Sequence, residues 1–464
     1  MTAEPGDNVV IAYEPGSSSC GYCSPQGQRS EGRTSFKSGS LHAIRISCDI
    51  YQRMIDRGWR RSGTYCYKPN LKLSCCPQYT IKLDAKEFTP SRSQRQPINR
   101  WNRFVIHGDS DDTSNAMDVG TSEKPAKPAK AKKLAPFTTL AAALHESELS
   151  FMPKDAEPAH TFSVNLEPAA YSAEKLALYR KYQSDVHKDH DNSPKQFKGF
   201  LVESPLEPES IEYPLPAPSH LPKNYGSYHQ LYRLDGQLIA MGVIDILPGC
   251  VSSVYFMYDT TWERFSLGKA ISRPSSFLQL SALREVSLAR EMQEAGAPQM
   301  GYLYMGFYIY SCPKMRYKGE YAPSYLADPE TYEWFPLGTC IPIMEKNRYA
   351  CFSTPSHSDN DDIHLMPDID NCRWWTLFIK HPLLRLNPIS SKAALALTGH
   401  ETLSPDADEF DDVHIMTRGR KGDFVLRNLK ESGYLVMEHV RETLSSCVLG
   451  LGTEIAKEVT FAIA

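Results

Sequence analysis

The sequence has 464 residues, of which 41% are hydrophobic, 23% charged and 11% aromatic, a globular composition whose length favours two or three domains. Its 51 Lys and Arg against 55 Asp and Glu residues give a net charge of −4, which excludes a uniformly basic nucleic-acid coat and confines any polyanion site to a local patch. Mean hydropathy is −0.42, no apolar run reaches about 20 residues, and no signal peptide is evident, so we expect a soluble cytoplasmic protein, also present in the nucleus.

Residues 1–107 form the first predicted unit, which is small and rich in cysteine. Cys20 and Cys23 are two residues apart, so one turn can present both sulfurs to one metal, and Cys75 with Cys76 supplies two further thiols. Four thiolates suit zinc or an iron–sulfur cluster, and their spacing leaves open which of the two is bound. The alternative is a set of reduced, buried cysteines without a metal.

A basic segment and a linker end this unit. Ser91–His107 contains aromatic residues and no acidic residue, so it either follows an RNA backbone or forms a solvated basic helix. Its arginines are Arg92, Arg95, Arg100 and Arg103. Residues 108–134 have few side chains that can form a core, and they end in a lysine-rich run. We interpret that run as a solvated linker, with a nuclear-localisation or RNA-contacting patch as the alternative.

Residues 135–464 are predicted to form an α/β unit. Apolar spacing after a serine cap predicts a helix over 172–190, and a proline-rich extended segment follows at 205–222. Residues 228–258 contain three strand-like runs joined by Asp-Gly and Pro-Gly turns. This pattern is typical of an antiparallel meander.

A loop, a helix and a strand follow the meander. Residues 277–295 have helical apolar spacing and good helix formers, and the apolar run 302–310 predicts a buried strand parallel to the one before the helix. The loop at 259–275 contains Gly268 and Lys269 close to the helix start. Exposed amides and the helix dipole can receive a phosphate there, although an ordinary helix-entry turn is the default interpretation.

Motifs in both halves resemble those of eukaryotic arginyl-tRNA–protein transferases, and a fungal source is expected. In the first unit they are Cys20-Gly-Tyr-Cys23, Arg60-Arg61-Ser-Gly-Thr-Tyr65, Tyr67-Lys-Pro69 and Cys75-Cys76-Pro77. In the second half they are Tyr225–Gln230, Leu238–Asp245, Ser252–Tyr255, Phe265–Lys269 and Tyr304–Gly319. After about Trp334 the resemblance carries over no functional residue.

The resemblance implies transfer of arginine from arginyl-tRNA to the α-amino group of proteins that begin with Asp, Glu or oxidised Cys, which tags them for N-degron-dependent degradation. Ubiquitin-ligase and other N-degron components are then expected partners, and the cysteines are expected to hold zinc or an iron–sulfur cluster. A C-terminal fold similar to the Gcn5-related acetyltransferases is also implied, with an acyl donor between two splayed strands. The alternatives are a non-catalytic reader of acidic N-termini and an acetyl-coenzyme A-dependent N-acyltransferase.

The expected reaction assigns roles to two groups of residues. Attack by an amine on an ester releases a proton, for which Asp245, Asp259 and His229 are the candidate acceptors. Asp245 can instead cap its strand or grip a guanidinium or the amine, and His229 can be a hydrogen-bonded structural histidine. An anionic substrate side chain needs fixed positive charge or oriented donors, although any single cation can also be a surface charge. The candidates for this pocket are Arg60, Arg61, Tyr65, Tyr67, Arg316 and Lys318.

Overall fold

The computed structural model describes residues 8–23, 28–108, 139–265, 276–360, 402–419 and 423–463. These ranges contain two β-sheets with helices packed against them, so the predicted α/β class is confirmed as a mixed α/β protein. The expected linker lies almost entirely outside them. Within these ranges no helix has both the length and the hydropathy that crossing a bilayer requires.

The strands are numbered along the chain. The first eight are β1 (Val9–Tyr13), β2 (Gly16–Ser18), β3 (Ser35–Arg45), β4 (Arg60–Ser62), β5 (Tyr65–Pro69), β6 (Tyr79–Asp84), β7 (Phe162–Pro168) and β8 (Glu209–Ser210). The others are β9 (Asn224–Leu234), β10 (Gln237–Leu247), β11 (Cys250–Tyr258), β12 (Tyr302–Tyr308), β13 (Ser324–Ala327), β14 (Trp334–Pro336), β15 (His414–Arg418), β16 (Phe424–Asn428) and β17 (Thr460–Ala462).

The helices are numbered in the same way. They are α1 (Cys48–Asp56), α2 (Arg92–His107), α3 (Leu140–His145), α4 (Ala173–Tyr182), α5 (Pro194–Phe197), α6 (Ser276–Glu294), α7 (Pro313–Arg316), α8 (Leu337–Met344), α9 (Glu438–Leu451) and α10 (Thr453–Lys457). The long helix predicted at 277–295 is confirmed as α6. The helix predicted at 172–190 is shorter in the structure, where α4 ends at Tyr182 and a π-helical turn continues to His187. Lys188 then adopts a positive φ of 59°, which ends the helical path.

The first sheet has the strand order β16-β15-β17-β1-β3-β5-β4, with β2 paired to β3. β17 lies between β1 and β15 and runs parallel to both, so segments near the two ends of the sequence share one sheet. Helix α9 packs on β1 and β3. The core beneath it includes Trp59 and Phe461 and continues to Tyr304 of the second sheet, so one apolar cluster joins the two sheets.

The second sheet has the strand order β14-β13-β6-β12-β11-β10-β9-β7, with β8 paired to β9. The predicted antiparallel meander is confirmed in β9 to β11, and β12 runs parallel to β11 as predicted, with α6 between them in the chain. β6 lies between β12 and β13, so this sheet takes a strand from the first 107 residues. Each sheet contains strands from residues 1–107 and from residues 135–464. The domain limits at 107 and 135 therefore do not coincide with the division into sheets, and they remain a prediction.

β11 and β12 separate after a short contact. They pair only through Cys250–Ser252 and Tyr302–Tyr304, although both strands continue beyond these residues. Residues 253–255 are partly exposed in the interior of the sheet. On β12, Gly306 lies beyond the last pair with a φ of 68°, a conformation that favours glycine. The space between residues 253–255 and Gly306 is called the inter-strand gap below.

A histidine–carboxylate cluster ties three segments together. The two ring nitrogens of His145 lie 2.7 Å from a Glu148 oxygen and 3.0 Å from a Glu291 oxygen. His220, in the proline-rich segment, approaches the same Glu291 oxygen at 2.8 Å. Arg284 pairs with Glu148, so the cluster connects α3, the proline-rich segment and α6 through charged groups.

This cluster makes part of the stability dependent on pH. Burial alone would lower the pKa of His145, but its hydrogen bonds to Glu148 and Glu291 raise the pKa to about 9. The ordinary value is about 6.5, so the stabilisation is complete below about pH 6.5 and is lost as the pH rises through about 9. We expect His145→Gln to lower the free energy of unfolding by roughly 1–2 kcal/mol at pH 6, discounted for solvent screening, and by little at pH 10. Urea unfolding at both pH values measures this, with the exposed His439→Gln as control. An equal loss at both pH values would contradict the prediction.

Candidate active site

The four cysteines predicted as metal ligands lie together. The sulfur atoms of Cys20, Cys23, Cys75 and Cys76 are all within 4.8 Å of one another, and those of Cys23 and Cys75 are 3.7 Å apart. Tetrahedral zinc with Zn–S bonds of about 2.3 Å separates its sulfurs by roughly 3.8 Å, so this spacing fits a metal centre. The backbone amide of Tyr22 also donates to the Cys20 sulfur at 3.3 Å, an interaction that favours a thiolate. These residues can therefore hold a metal.

The cysteine group contacts the end of β12. Cys20 and Cys76 pack with Ile309 and Cys312, which follow that strand directly. The hydroxyl of Ser311 lies 3.9 Å from the Cys76 sulfur. A metal bound by the four cysteines would therefore also fix the end of the strand that carries Gly306.

Arg61 and Asp245 form a buried ion pair. Two guanidinium nitrogens of Arg61 donate to the two Asp245 oxygens at 2.8 and 2.5 Å, and the side chains are 4% and 0% exposed. The Ser227 hydroxyl donates to Asp245 at 2.8 Å and accepts from Arg61 at 2.9 Å. Asp245 thus grips a guanidinium, but one from its own chain. This geometry argues against Asp245 as the proton acceptor and against Arg61 as the substrate-binding residue, because each satisfies the other.

Two further buried cations flank Gly306. Arg60 donates to the Gly306 carbonyl at 3.0 Å, and the Lys318 ammonium donates to the Phe307 carbonyl at 2.6 Å. Each side chain is 8% exposed, and neither forms an ion pair with a carboxylate in the described part of the chain. The Nε of Arg60 is buried without a hydrogen-bond partner. Burial, with the nearby charge of Arg60, lowers the pKa of Lys318 to about 7. Unpaired buried charges are costly, so an anionic ligand here would gain from both.

The remaining pocket candidates divide into two groups. Tyr67 lies opposite Arg60 in the pairing of β4 with β5, and its ring centroid is 6.0 Å from that of Tyr65. The ammonium of Lys37 lies 4.9 and 5.2 Å from the two ring centroids. Arg316, on α7, is exposed. The tyrosines therefore remain close to the buried cations, whereas Arg316 lies on the surface.

His229 has both ring nitrogens in use. Its Nε2 donates to the Leu201 carbonyl at 2.8 Å, and its Nδ1 accepts from the Lys175 ammonium at 2.9 Å. Its side chain is fully buried, and burial lowers its pKa to about 4. This arrangement agrees with the alternative of a structural histidine and argues against a role as proton acceptor.

Asp259 is also engaged within the protein. It accepts from the backbone amide and hydroxyl of Thr261 at 3.0 and 2.7 Å, and from the Lys181 ammonium at 2.7 Å. Burial alone would raise its pKa, but these contacts lower the pKa below its usual value. A carboxylate held in this way is a weak proton acceptor, so its predicted catalytic role has no geometric support.

Family models match both halves of the chain. The model of the arginine-tRNA-protein transferase N terminus matches residues 18–96, and that of the C terminus matches residues 174–328. Arginyl-tRNA–protein transferase 1 of Drosophila melanogaster is 32% identical over 79% of this chain and 90% of its own length. The chain belongs to the arginyl-tRNA–protein transferase family.

Other relatives of this transferase differ in coverage and in name. Arginyl-tRNA–protein transferase 1 of Saccharomyces cerevisiae is 33% identical over 60% of this chain and 48% of its own length. An aspartate/glutamate leucyltransferase of Pseudomonas fluorescens is 24% identical over 59% of this chain and 78% of its own length. The chain is therefore similar both to proteins named arginyltransferases and to a protein named a leucyltransferase.

The arginines predicted to contact tRNA lie on α2 of the transferase. Ser91 caps this helix through the Gln94 amide, and Trp101 and Phe104 are 4% and 5% exposed in the core. These aromatic rings pack inward and do not face a base. The arginines remain at the surface, two exposed and two partly exposed: Arg92, Arg103, Arg95 and Arg100. Gly268 and Lys269 lie outside the described residues.

Two residues with unusual surroundings, Gly306 on β12 and Glu285 on α6, were not singled out from the sequence. Gly306 interrupts an apolar strand, a pattern that indicates a bulge or a close approach of the backbone. Glu285 lies between Leu283 and Val286, which are fully buried, so its charge is on the inner side of α6. An ionisable residue on the apolar face of a predicted helix is the sequence pattern from which Glu285 could have been identified.

Proposed function

We propose that this chain transfers arginine from arginyl-tRNA to the α-amino group of proteins that begin with Asp, Glu or oxidised Cys. The observation that supports this best is the pair of buried cations, Arg60 and Lys318, beside the inter-strand gap. All three acceptor side chains are anionic, and a desolvated guanidinium and ammonium suit such a group. Family membership supports arginine and tRNA as the donor.

The main requirement of this reaction is that the protein positions the amine and the ester carbonyl correctly. Arginyl-tRNA is already an activated ester, so the protein has to hold a neutral amine against the carbonyl and stabilise the developing oxyanion. Attack by the neutral amine forms the amide bond and breaks the ester bond, and the proton that the amine loses is balanced by the proton that the leaving tRNA oxygen takes up to become a hydroxyl. A free α-amino group has a pKa of about 7.7–8.0, so a sizeable fraction is neutral at pH 7. We assign the relay of this proton to water, because Asp245, His229 and Asp259 can accept it only after their present contacts break.

We place the aminoacyl end of the tRNA in the inter-strand gap. A fold similar to the Gcn5-related acetyltransferases is supported by the two parallel strands β11 and β12, which are linked through α6 and separate after three pairs. The exposed arginines of α2, together with Gly268 and Lys269, would contact tRNA phosphates. Such contacts predict binding that weakens steeply as salt increases.

We propose that Cys20, Cys23, Cys75 and Cys76 hold zinc or an iron–sulfur cluster. Zinc would close the site structurally, whereas a cluster would add redox chemistry. The contact of these cysteines with Ile309 and Cys312 supports a role in holding β12 beside the gap. In the cell we expect the transferase to act in the cytoplasm and nucleus, upstream of ubiquitin ligases of the N-degron pathway.

One assay separates the proposed function from its alternatives. The full chain is incubated with arginyl-tRNA and peptides that begin with Asp, Glu, oxidised Cys or Ala, and peptide mass is measured. A gain of one arginine on the first three peptides supports the proposal. Binding of acidic peptides without a mass gain indicates a reader, and a mass gain of one acetyl group with acetyl-coenzyme A indicates an acetyltransferase.

The buried cations should determine peptide recognition. We expect Lys318→Met to lower kcat/KM for an Asp peptide about 100-fold, because a hydrogen bond to a charged group contributes about 1.5–3 kcal/mol. Arg60→Met should behave in the same way, while Kd for arginyl-tRNA changes less than about twofold. Arg316→Met removes an exposed charge and is the matched control, with a loss below about threefold. Equal losses in peptide turnover and tRNA binding would contradict the assignment.

A further inference from the structure

Helix α6 carries a buried carboxylate without a cation. Glu285 is 2% exposed, and it accepts a hydrogen bond from the hydroxyl of Ser281 at 2.9 Å. Burial raises the pKa of Glu285 to about 7. One hydroxyl group compensates only part of the cost of burying a negative charge. The site therefore lacks a positive partner that would keep the carboxylate ionised.

No cation in the described part of the chain fills this role. The adjacent Arg284 points elsewhere, because its guanidinium pairs with Glu148 and donates to the Leu144 carbonyl at 3.1 Å. Lys318 and Arg60 are held on the other strand by the carbonyl groups of β12. Glu285 forms no ion pair with any of them.

The carboxylate borders the inter-strand gap. Helix α6 packs against β11, and Ser253 of that strand lies close enough to Glu285 to oppose the rise of its pKa that burial causes. Ser253 is the first residue of β11 after the last pair with β12, and it is partly exposed. Burial and the nearby charge of Glu285 raise the pKa of Tyr317, which is next to Lys318, to about 12, so Tyr317 lies near the carboxylate. A planar cation that enters the gap would meet a carboxylate and an aromatic ring, the two surfaces that a guanidinium prefers.

We propose that Glu285 binds the guanidinium of the arginyl group on the tRNA and so selects arginine as the transferred amino acid. This inference rests on the proposed function. The gap then has opposite charges on its two sides: Glu285 on the β11 side for the cationic donor, and Arg60 with Lys318 on the β12 side for the anionic acceptor. A neutral donor side chain would leave the carboxylate buried and unpaired, which penalises the wrong amino acid.

The test compares two aminoacyl-tRNAs that differ only in charge. The same tRNA is charged with arginine or with citrulline, its uncharged isostere, and transfer to an Asp peptide is measured. For the unmodified chain we expect arginine to be preferred at least about 100-fold, in line with the discrimination of a site built for a specific polar group. Glu285→Gln should reduce the preference to below about fivefold while leaving KM for the peptide unchanged. Glu294→Gln, an exposed residue on the same helix, is the matched control and should keep the full preference.

The outcomes separate this inference from the function on which it rests. If the unmodified chain transfers no arginine, the proposed function fails. If it transfers arginine and Glu285→Gln keeps the full preference over citrulline, only the role of Glu285 is overturned. Should Glu285→Gln unfold, as its thermal transition would show, Glu285→Asp replaces it. Aspartate keeps the negative charge, but its side chain is one methylene shorter, so the carboxylate lies farther from the guanidinium. Glu285→Asp should therefore lower arginine transfer more than citrulline transfer. Equal effects on the two transfers would overturn the proposal.

Discussion

Replacing Arg61 by alanine should lower the free energy of unfolding by about 3–5 kcal/mol, because it leaves Asp245 buried without its partner. Asp245 is 0% exposed and receives two hydrogen bonds from the guanidinium, so the substitution removes the cation that offsets the cost of burying this carboxylate. Urea unfolding of the full chain at pH 7 measures the change. The pair joins β4 of the first sheet to β10 of the second, so its loss should also loosen the contact between the sheets.

Two comparisons make this result interpretable. Arg61→Met combined with Asp245→Leu removes both charges and should be less destabilised than Arg61→Ala. Arg233→Ala breaks an exposed pair with Glu174 and should cost less than about 1 kcal/mol. If Arg61→Ala lost less than about 1 kcal/mol, the pair would not stabilise the junction as inferred.

Replacing Cys76 by serine should release the metal that we propose for the four cysteines, and it should lower the midpoint of thermal unfolding by roughly 10 °C. A metal held there would connect loops of the first sheet with the end of β12, so its binding energy would contribute directly to folding. Metal analysis of protein purified with and without oxygen, together with scanning calorimetry, measures both effects. The same analysis identifies zinc or iron with sulfide.

Cys312 provides the matched control for the metal centre. It packs against Cys20 and Cys76 but is not one of the four sulfurs that lie within 4.8 Å of one another. Cys312→Ser should therefore keep the full metal content and change the unfolding midpoint by only a few degrees. Metal lost from Cys312→Ser, or retained in Cys76→Ser, would show that the ligand set is wrong.

Local sequence patterns were sufficient to predict the strands and the helix that surround the inter-strand gap. The Asp235-Gly236 turn has positive φ at both residues, as the dipeptide predicts, and it sets the pairing of β9 with β10. The spacing of Leu283 and Val286 predicted α6, and the apolar run after it predicted a parallel strand. Each of these signals depends on neighbours within a few residues.

The partners of buried charges could not be predicted in the same way. Arg61 and Asp245 are 184 residues apart, and nothing in either motif indicates that they meet. The sequence shows that Arg60, Arg61 and Lys318 are cationic. Only the tertiary fold shows that Asp245 neutralises Arg61, whereas Arg60 and Lys318 lie beside Gly306. The insertion of β6 beside β12 is equally invisible locally, because strand order depends on contacts across the whole chain.

The position of β17 has a consequence for protein synthesis. Thr460–Ala462 complete the sheet between β1 and β15, so one edge of β1 stays open until these residues have left the ribosome. An unpaired strand edge is a template for aggregation, and a nascent chain of this size keeps it exposed for many seconds at about 5–20 residues per second. We therefore expect newly made chains to depend on chaperones that shield β1 until β17 can pair with it.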